Sequence, residues 1–351
     1  MKESLKIAGA FVGVIVGAGF ASGRELMQMF VVFGVWGLLG AVVSAALFIF
    51  LGMALAGMGS RLRAKSHKDV VYALCGRYLG AFVDLMITFF MFAVTVVMLA
   101  GGGAVLEQQF AIPSMLGSAA VTLIVVAIVC LDVQRVIAMI GAVTPLLILM
   151  AVAVALYGVA TRGLGFGELD QLASQQEAGA SHWLLGALLY VSYNIVAGVP
   201  FLAIMGGAAK SEKQAMWGGI LGGTLLGLLM LVMSLGLLSR LDSVADLPMP
   251  MLSIATEVSP VLGLLMAVII FLMIVNTAVG TLYSFSARML PAGTRKFRIG
   301  SAAAGVLAFI GSLAGFVSLV GQVYPFFGYL GFLLIGAVVV GWLRAGRLAQ
   351  A

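Results

Sequence analysis

Charge is scarce in this sequence. Asp, Glu, Lys and Arg supply 9% of its 351 residues against 63% hydrophobic ones, whereas soluble globular chains are about a quarter charged. That composition excludes a water-soluble domain and points to a lipid bilayer as the solvent. Two cysteines and two histidines leave nothing from which to build a disulfide scaffold or a His/Cys metal framework. No GxSxG elbow, HExxH helix or clustered acid pair occurs, so the common signatures of an intramembrane enzyme are missing. Gly17, Ala18 and Gly19 touch on a dinucleotide fingerprint, but Ser22 stands where its last glycine belongs and no strand pattern precedes it. Glycine, by contrast, is plentiful at 46 residues, and small residues let membrane helices approach closely.

At about 20 apolar residues per crossing, the length accommodates roughly ten helices and no separate soluble domain. Hydropathy predicts spans at 5–31, 36–59, 79–109, 115–131, 136–158, 181–205, 214–239, 252–287, 299–315 and 318–342. The first is expected to stay in the mature protein, because it runs through Gly17 to Gly23 into Arg24 and Glu25 without a cleavage pattern. Orientation follows from the basic residues rather than from the net charge of +6. One side collects Lys2, Lys6, Arg61, Arg63, Lys65, Lys68, Arg77, Arg135, Lys210, Lys213, Arg288, Arg295, Lys296, Arg298, Arg344 and Arg347, and the other only Arg162 and Arg240. Glu168, Asp170, Glu177, Asp242 and Asp246 make that other side acidic. The positive-inside rule then puts both termini in the cytoplasm, in a multi-pass cell-membrane protein.

Two halves of the chain echo each other. The first span is interrupted by GAGFASG, Gly17 to Gly23, and the sixth carries YNIVAGVP, Tyr193 to Pro200, about 177 residues on. Pro145 and Pro325 fall in the fifth and tenth spans at an offset of 180. The basic loop at 61–68 answers to the acidic one at 240–246, so equivalent loops carry opposite character. Five spans per half force the second to enter from the opposite side. The expected fold is an all-α membrane protein with a 5+5 inverted repeat, 1–158 and 181–343, and with helices 1 and 6 broken.

Non-helical backbone at mid-membrane persists only inside protein or beside water, so both breaks are binding-site candidates. A carboxylate is expected at the N–H groups of Ser22 to Glu25, and an amine or Na⁺ at carbonyls of residues 16–20 and 193–197. Candidate substrate residues are Gly17, Gly19, Phe20, Ala21, Ser22, Gly23, Arg24, Glu25, Thr95, Tyr193, Asn194, Ala197 and Gly198. Met91, Met98 and Phe201 are candidates for an apolar wall. The stripe Gly9, Gly13, Gly17 reads mostly as helix packing. Arg24 is expected to hold a substrate carboxylate or to pair with Glu107 or Glu257, and Glu25 to carry a proton or join a structural ion pair; Asp84, near the inner interface, is expected to be solvated or paired with Arg77. Asn276, Thr277 and Thr281 offer oxygens to a small cation, although such hydroxyls also bond their own helix.

These features resemble the amino acid–polyamine–organocation superfamily with the LeuT-type fold. GAGFASGRE, Gly17 to Glu25, with YNIVAGVP, is most similar to the YkvI-type membrane proteins, regarded as amino acid permeases. The resemblance implies substrate between the first, third, sixth and eighth helices, and a bundle of spans 1, 2, 6 and 7 rocking against spans 3, 4, 8 and 9. It further implies a sodium ion on the carbonyls of Gly13 and Val16 with Thr277 and Thr281. The gating arginine of those relatives stands one position earlier than Arg24, and the tenth span offers Gln322 and Tyr324 where they have an acid. A lysine used by some proton-coupled relatives is missing from the fifth span. The expectation is a secondary transporter for an amino acid or related small zwitterion or amine, coupled to Na⁺ or H⁺. Neither an organic cofactor nor a nucleic-acid partner is expected. A receptor that kept the transporter fold is the alternative.

Overall fold

Long apolar runs with little internal charge give helices nearly throughout, since each satisfies its own backbone in a bilayer. The computed structural model describes residues 2–130, 144–161, 163 and 165–348. The first span is α1 (Lys2–Ile15), α2 (Ala18–Ser22) and α3 (Arg24–Met29), followed by a 3₁₀ turn and α4 (Gly34–Leu62). Next come α5 (His67–Phe110), α6 (Ser114–Cys130), α7 (Thr144–Ala160) and a short α8 (Phe166–Ala173). The second half holds α9 (Trp183–Ala208), α10 (Glu212–Ser239), α11 (Leu241–Val244), α12 (Pro250–Val258), α13 (Pro260–Met289), α14 (Arg295–Ser312) and α15 (Phe316–Leu348).

Among the described residues, six helical segments are long and apolar enough to cross a membrane, within Arg24–Leu62, α5, α9, α10, α13 and α15. The apolar helices α6 and α7 are shorter. Leu123 and Leu149, 74% and 69% exposed, present apolar surface outward, as lipid contact requires.

The helices sort into two groups. In one, α1, α4, α9 and α10 pack on one another; in the other, α5, α6, α13 and α14 do. This is the partition into spans 1, 2, 6, 7 and 3, 4, 8, 9 that the resemblance implies. Small residues set the first group's spacing: a Cβ on Gly219 would collide with the backbone of Gly52, so α4 and α10 meet main chain to main chain. Ser44 Oγ donates to the Ala187 carbonyl at 3.2 Å and ties α4 to α9.

Three expectations need correction, those for the sixth span, the eighth span and the glycine stripe. The sixth span is not interrupted: α9 runs from Trp183 to Ala208 through the whole YNIVAGVP stretch. Proline lacks one N–H and therefore costs one ladder bond, and Pro200 takes this loss inside an otherwise continuous helix. The eighth span begins at Pro260, because Ser259 caps α13 by accepting from the Val261 N–H and separates it from α12; a residue before proline avoids the α region. Gly76, at φ 70°, splits His67–Cys75 from the membrane part of α5. Nor do the described residues make the stripe a packing seam: among them, a Cβ on Gly9 or Gly13 would meet nothing within 4 Å. Instead both line an opening between α1, α7 and α10. The predicted residues 136–143 of the fifth span lie outside the described residues.

Candidate functional site

The break in the first span follows from its glycines. Val16 N–H still donates to Val12 at 2.7 Å, but Gly17 N–H turns to Ile15 at 2.9 Å, which leaves the Gly13 carbonyl outside the helical ladder. α2 lasts five residues before Gly23 takes φ 84°, a left-handed conformation that suits glycine. Ser22 bridges this second turn: its Oγ donates to the Gly19 carbonyl at 2.8 Å and accepts from the Arg24 N–H at 3.3 Å.

Arg24 and Glu25 then part. The Arg24 side chain, only 8% exposed, reaches past the helix end and donates to the carbonyls of Ala245 at 3.0 Å and Leu247 at 3.4 Å. It pairs with neither expected acid. Glu257 is bound to Arg240 instead, and Glu107 lines a cavity of about 610 Å³ with Glu177 and Gln322 near the loops following α5 and α8. Gln28 also lines that cavity; its Nε2 donates to Val317 at 3.1 Å. Glu25 folds back instead. Its carboxylate lies over Gly19, where any Cβ would strike Oε1, and Oε2 accepts from the Tyr193 hydroxyl at 3.2 Å.

Around that carboxylate is a small central cavity of about 60 Å³, room for a few waters or a compact solute. Seven of the expected residues line it: Gly17, Gly19, Glu25, Tyr193, Asn194, Ala197 and Thr277. Val14, Ile15, Ala18, Phe90, Val94, Met98 and Tyr324 complete the wall. Met98 was foreseen. The others carry no sequence signal beyond apolarity, except Tyr324, whose ring stacks on Tyr193 at 4.8 Å between centroids. Asn194 donates its amide to the Tyr190 carbonyl at 2.9 Å, which accounts for a polar side chain within an unbroken helix.

The remaining candidates sit elsewhere. Phe20 and Ala21 are buried in the core, and Phe201 is half exposed, away from the cavity. Gly198 faces Phe11 and Ile15 of α1. Arg24, Ser22 and Gly23 shape the break without lining the cavity. The Gly23 N–H donates to Phe20 and the Arg24 N–H to Ser22, so two of the donors expected to receive a carboxylate already have acceptors.

Of the cation candidates, Thr277 Oγ1 lies opposite Gly17, 3.8 Å from the place a Cβ would take. Val16 is buried beside it in chain order. The Thr95 and Thr281 hydroxyls meet at 2.8 Å, one donating to the other, and the accepting one donates to its own helix, to the Thr277 carbonyl at 2.8 Å or the Met91 carbonyl at 3.0 Å. This hydroxyl pair joins α5 to α13 rather than facing the cavity. Asn276 Oδ1 is buried and has no hydrogen-bond partner among the described residues.

On the face that carries the N-terminus, Asp84 does not pair with Arg77. It meets Arg288 at 2.9 Å, Lys68 at 3.1 Å and His67 at 2.8 Å, and Arg288 also donates to Thr88 at 2.7 Å. The cluster ties the segment ahead of Gly76 to α5 and α13. Burial holds the His67 imidazole below its ordinary value of 6.5, against the raising pull of the Asp84 carboxylate.

Comparison with known proteins agrees with this architecture. No family model matches the chain. The membrane protein YkvI of Bacillus subtilis (strain 168) is 30% identical over 334 residues, 95% of this chain and 94% of that protein. YyaD of the same organism is 26% identical over 290 residues, 79% of each. Among solved structures, MhsT in complex with L-phenylalanine superposes with TM-score 0.68 at 16% identity, covering 95% of this chain and 87% of that one. Inward-facing Mhp1 gives 0.59 at 14%, covering 93% and 73%. A mutant of the Eremococcus coleocola manganese transporter gives 0.62 at 16%, covering 97% and 83%. Those neighbours establish an all-helical, LeuT-type membrane fold, and the extent and identity of the match to YkvI establish the family: this chain belongs to the YkvI-type membrane proteins.

Proposed function

We propose that this chain is a secondary active transporter that carries a small amino acid or related amine by alternating access, coupled to Na⁺ or H⁺. The observation that carries the reading is the break in the first span, where Gly17, Gly19 and Glu25 enclose a small cavity with Tyr193, Asn194, Thr277 and Tyr324. Interrupted helices that meet a cavity between two helix groups are the usual site of solute binding in such carriers. The fold neighbours add support, since one is solved with L-phenylalanine and another is named a manganese transporter.

In this reading the chain crosses the cell membrane ten times as two oppositely inserted halves, with both termini in the cytoplasm, because basic residues gather on the face of the N-terminus. α1 and Arg295–Ser312 then count as crossings beside the eight apolar ones. For sodium, the donors are the Gly13 and Val16 carbonyls with Thr277. For a proton, the carrier is Glu25. A ligand moves the equilibrium only through unequal affinity for its two states, so binding and flux should share one ion dependence.

The test is uptake into proteoliposomes under an imposed Na⁺ or H⁺ gradient, together with thermal stability of the purified protein in Na⁺ against K⁺. Gradient-driven accumulation of a solute that also raises Tm supports the carrier. Ligand-induced stabilisation with no flux under either gradient would favour a receptor on the same fold.

A further inference from the structure

The central cavity carries a negative side chain. Among the described residues Glu25 is the only charged one on its wall, and the basic residue beside it in sequence, Arg24, is committed to carbonyls of the 245–247 loop. A carboxylate buried to 6% exposure with one hydroxyl donor, Tyr193 at 3.2 Å, has no counter-ion among the described residues, and a buried charge of that kind is costly at membrane depth. Three aromatic rings share its wall with aliphatic and small residues: Tyr193 and Tyr324, stacked at 4.8 Å with 18° between planes, and Phe90. Aromatic faces around a carboxylate attract an ammonium group, whereas a metal cation of the sodium type takes a shell of oxygens. Among the described residues no basic side chain lines the cavity, and the Gly23 and Arg24 N–H groups are already bonded, so an anion would meet no charged partner there.

We infer that Glu25 receives the ammonium group of the transported solute and that the solute needs no carboxylate, so the substrate class is a small organic amine. This rests on the carrier reading above and narrows it. The size of the cavity, about 60 Å³, sets the scale at a few heavy atoms. Gly19 is part of the device, since its bare Cα leaves the space in which the Glu25 carboxylate sits.

Three probes that differ by one group decide the matter: ethylamine, alanine, which adds a carboxylate, and propionate, which replaces the amine by one. The full-length protein in lipid nanodiscs is titrated with each, by thermal shift and calorimetry in potassium buffer with and without sodium. Ethylamine is expected to bind at least as tightly as alanine, and propionate not at all. Glu25→Gln should weaken ethylamine on the order of 10- to 100-fold, the loss of one charge-assisted contact. Tyr324→Leu, which leaves the carboxylate untouched, should weaken it several-fold and guards against a Glu25 variant that does not fold. Binding of propionate, binding of alanine without ethylamine, failure of wild type to bind any amine, or unchanged amine affinity in Glu25→Gln would each overturn the inference. Flux separates the two levels: an amine that binds through Glu25 but never crosses removes the carrier and keeps the amine pole. Driven uptake of a solute lacking an amine keeps the carrier and removes the pole.

Discussion

The first and sixth spans make similar promises in sequence and keep them differently. GAGFASG breaks twice, at Gly17 and at Gly23; YNIVAGVP, with a glycine and a proline two residues apart, stays helical from Trp183 to Ala208. Within a bilayer a backbone group without a partner costs several kcal/mol, so a helix opens only where replacement partners stand ready. The first span has them. Ser22 Oγ spans the second turn, and three glycines admit a positive φ and the returning Glu25 side chain. The sixth lacks such a set. Pro200 removes a single donor, and the Asn194 amide adds a bond to the Tyr190 carbonyl that reinforces the helix. The difference teaches that glycine number and a local hydroxyl decide a break, while proline alone does not.

The severest way to break the comparison is Gly23→Leu. The left-handed φ of 84° and the nearness of Met251 and Leu237, 2.9 and 3.0 Å from a Cβ, together should cost about 3 kcal/mol. Uptake is expected to vanish while the protein still inserts, as judged by membrane fractionation. Retained uptake would mean that the second turn of the break is dispensable. Paired alanines sharpen the contrast. Gly19→Ala displaces the Glu25 carboxylate and should lower uptake roughly tenfold, about the worth of one hydrogen bond to a charged group. Gly198→Ala meets Phe11 and Ile15 only at ordinary contact, 3.5 and 3.6 Å, and should leave uptake intact while raising stability by up to about 1 kcal/mol through helix propensity. Loss of uptake in the second variant would show that the sixth span needs the same freedom as the first.

A smaller effect is expected for Asn194→Ala, which loses the bond to Tyr190 and one polar wall of the cavity; several-fold weaker uptake with little change in Tm is the expected result. A distant control lies at His67. Because its folded-state value is depressed, the neutral form contributes stability that is complete above pH 6.5 and is lost as pH falls through the folded value. Wild-type Tm should therefore decline in mildly acidic buffer, and His67→Gln should flatten that decline without touching either span. An equal acid dependence in His67→Gln would assign the titration to another group.

Much of the architecture was legible because hydropathy sets the length and number of apolar runs, and six of the thirteen residues proposed for substrate, three from each of the two motifs, line the cavity together with the cation candidate Thr277. What escaped was tertiary. Phe90 and Tyr324 are ordinary aromatics in their own helices, and only the packing of α5 and α15 around α9 brings them to the cavity. Asp84 seemed nearest to Arg77 along the chain, yet its partner Arg288 is 204 residues away. Thr95 and Thr281 lie on suitable faces but satisfy each other, a choice no spacing rule reveals. The start of α13 was readable and missed: Ser259 before Pro260 is an N-cap followed by a first-turn proline.

The contact of Gly52 with Gly219 has a mechanical corollary. Two main chains pressed together without intervening side chains leave no room for one helix to slide along the other, so α4 and α10 form a rivet rather than a bearing. Any displacement of α1 must then carry both along with it as a single lever, and the compliance of the molecule is concentrated at the seam against α5 and α13, where hydroxyls and aromatic rings can exchange neighbours.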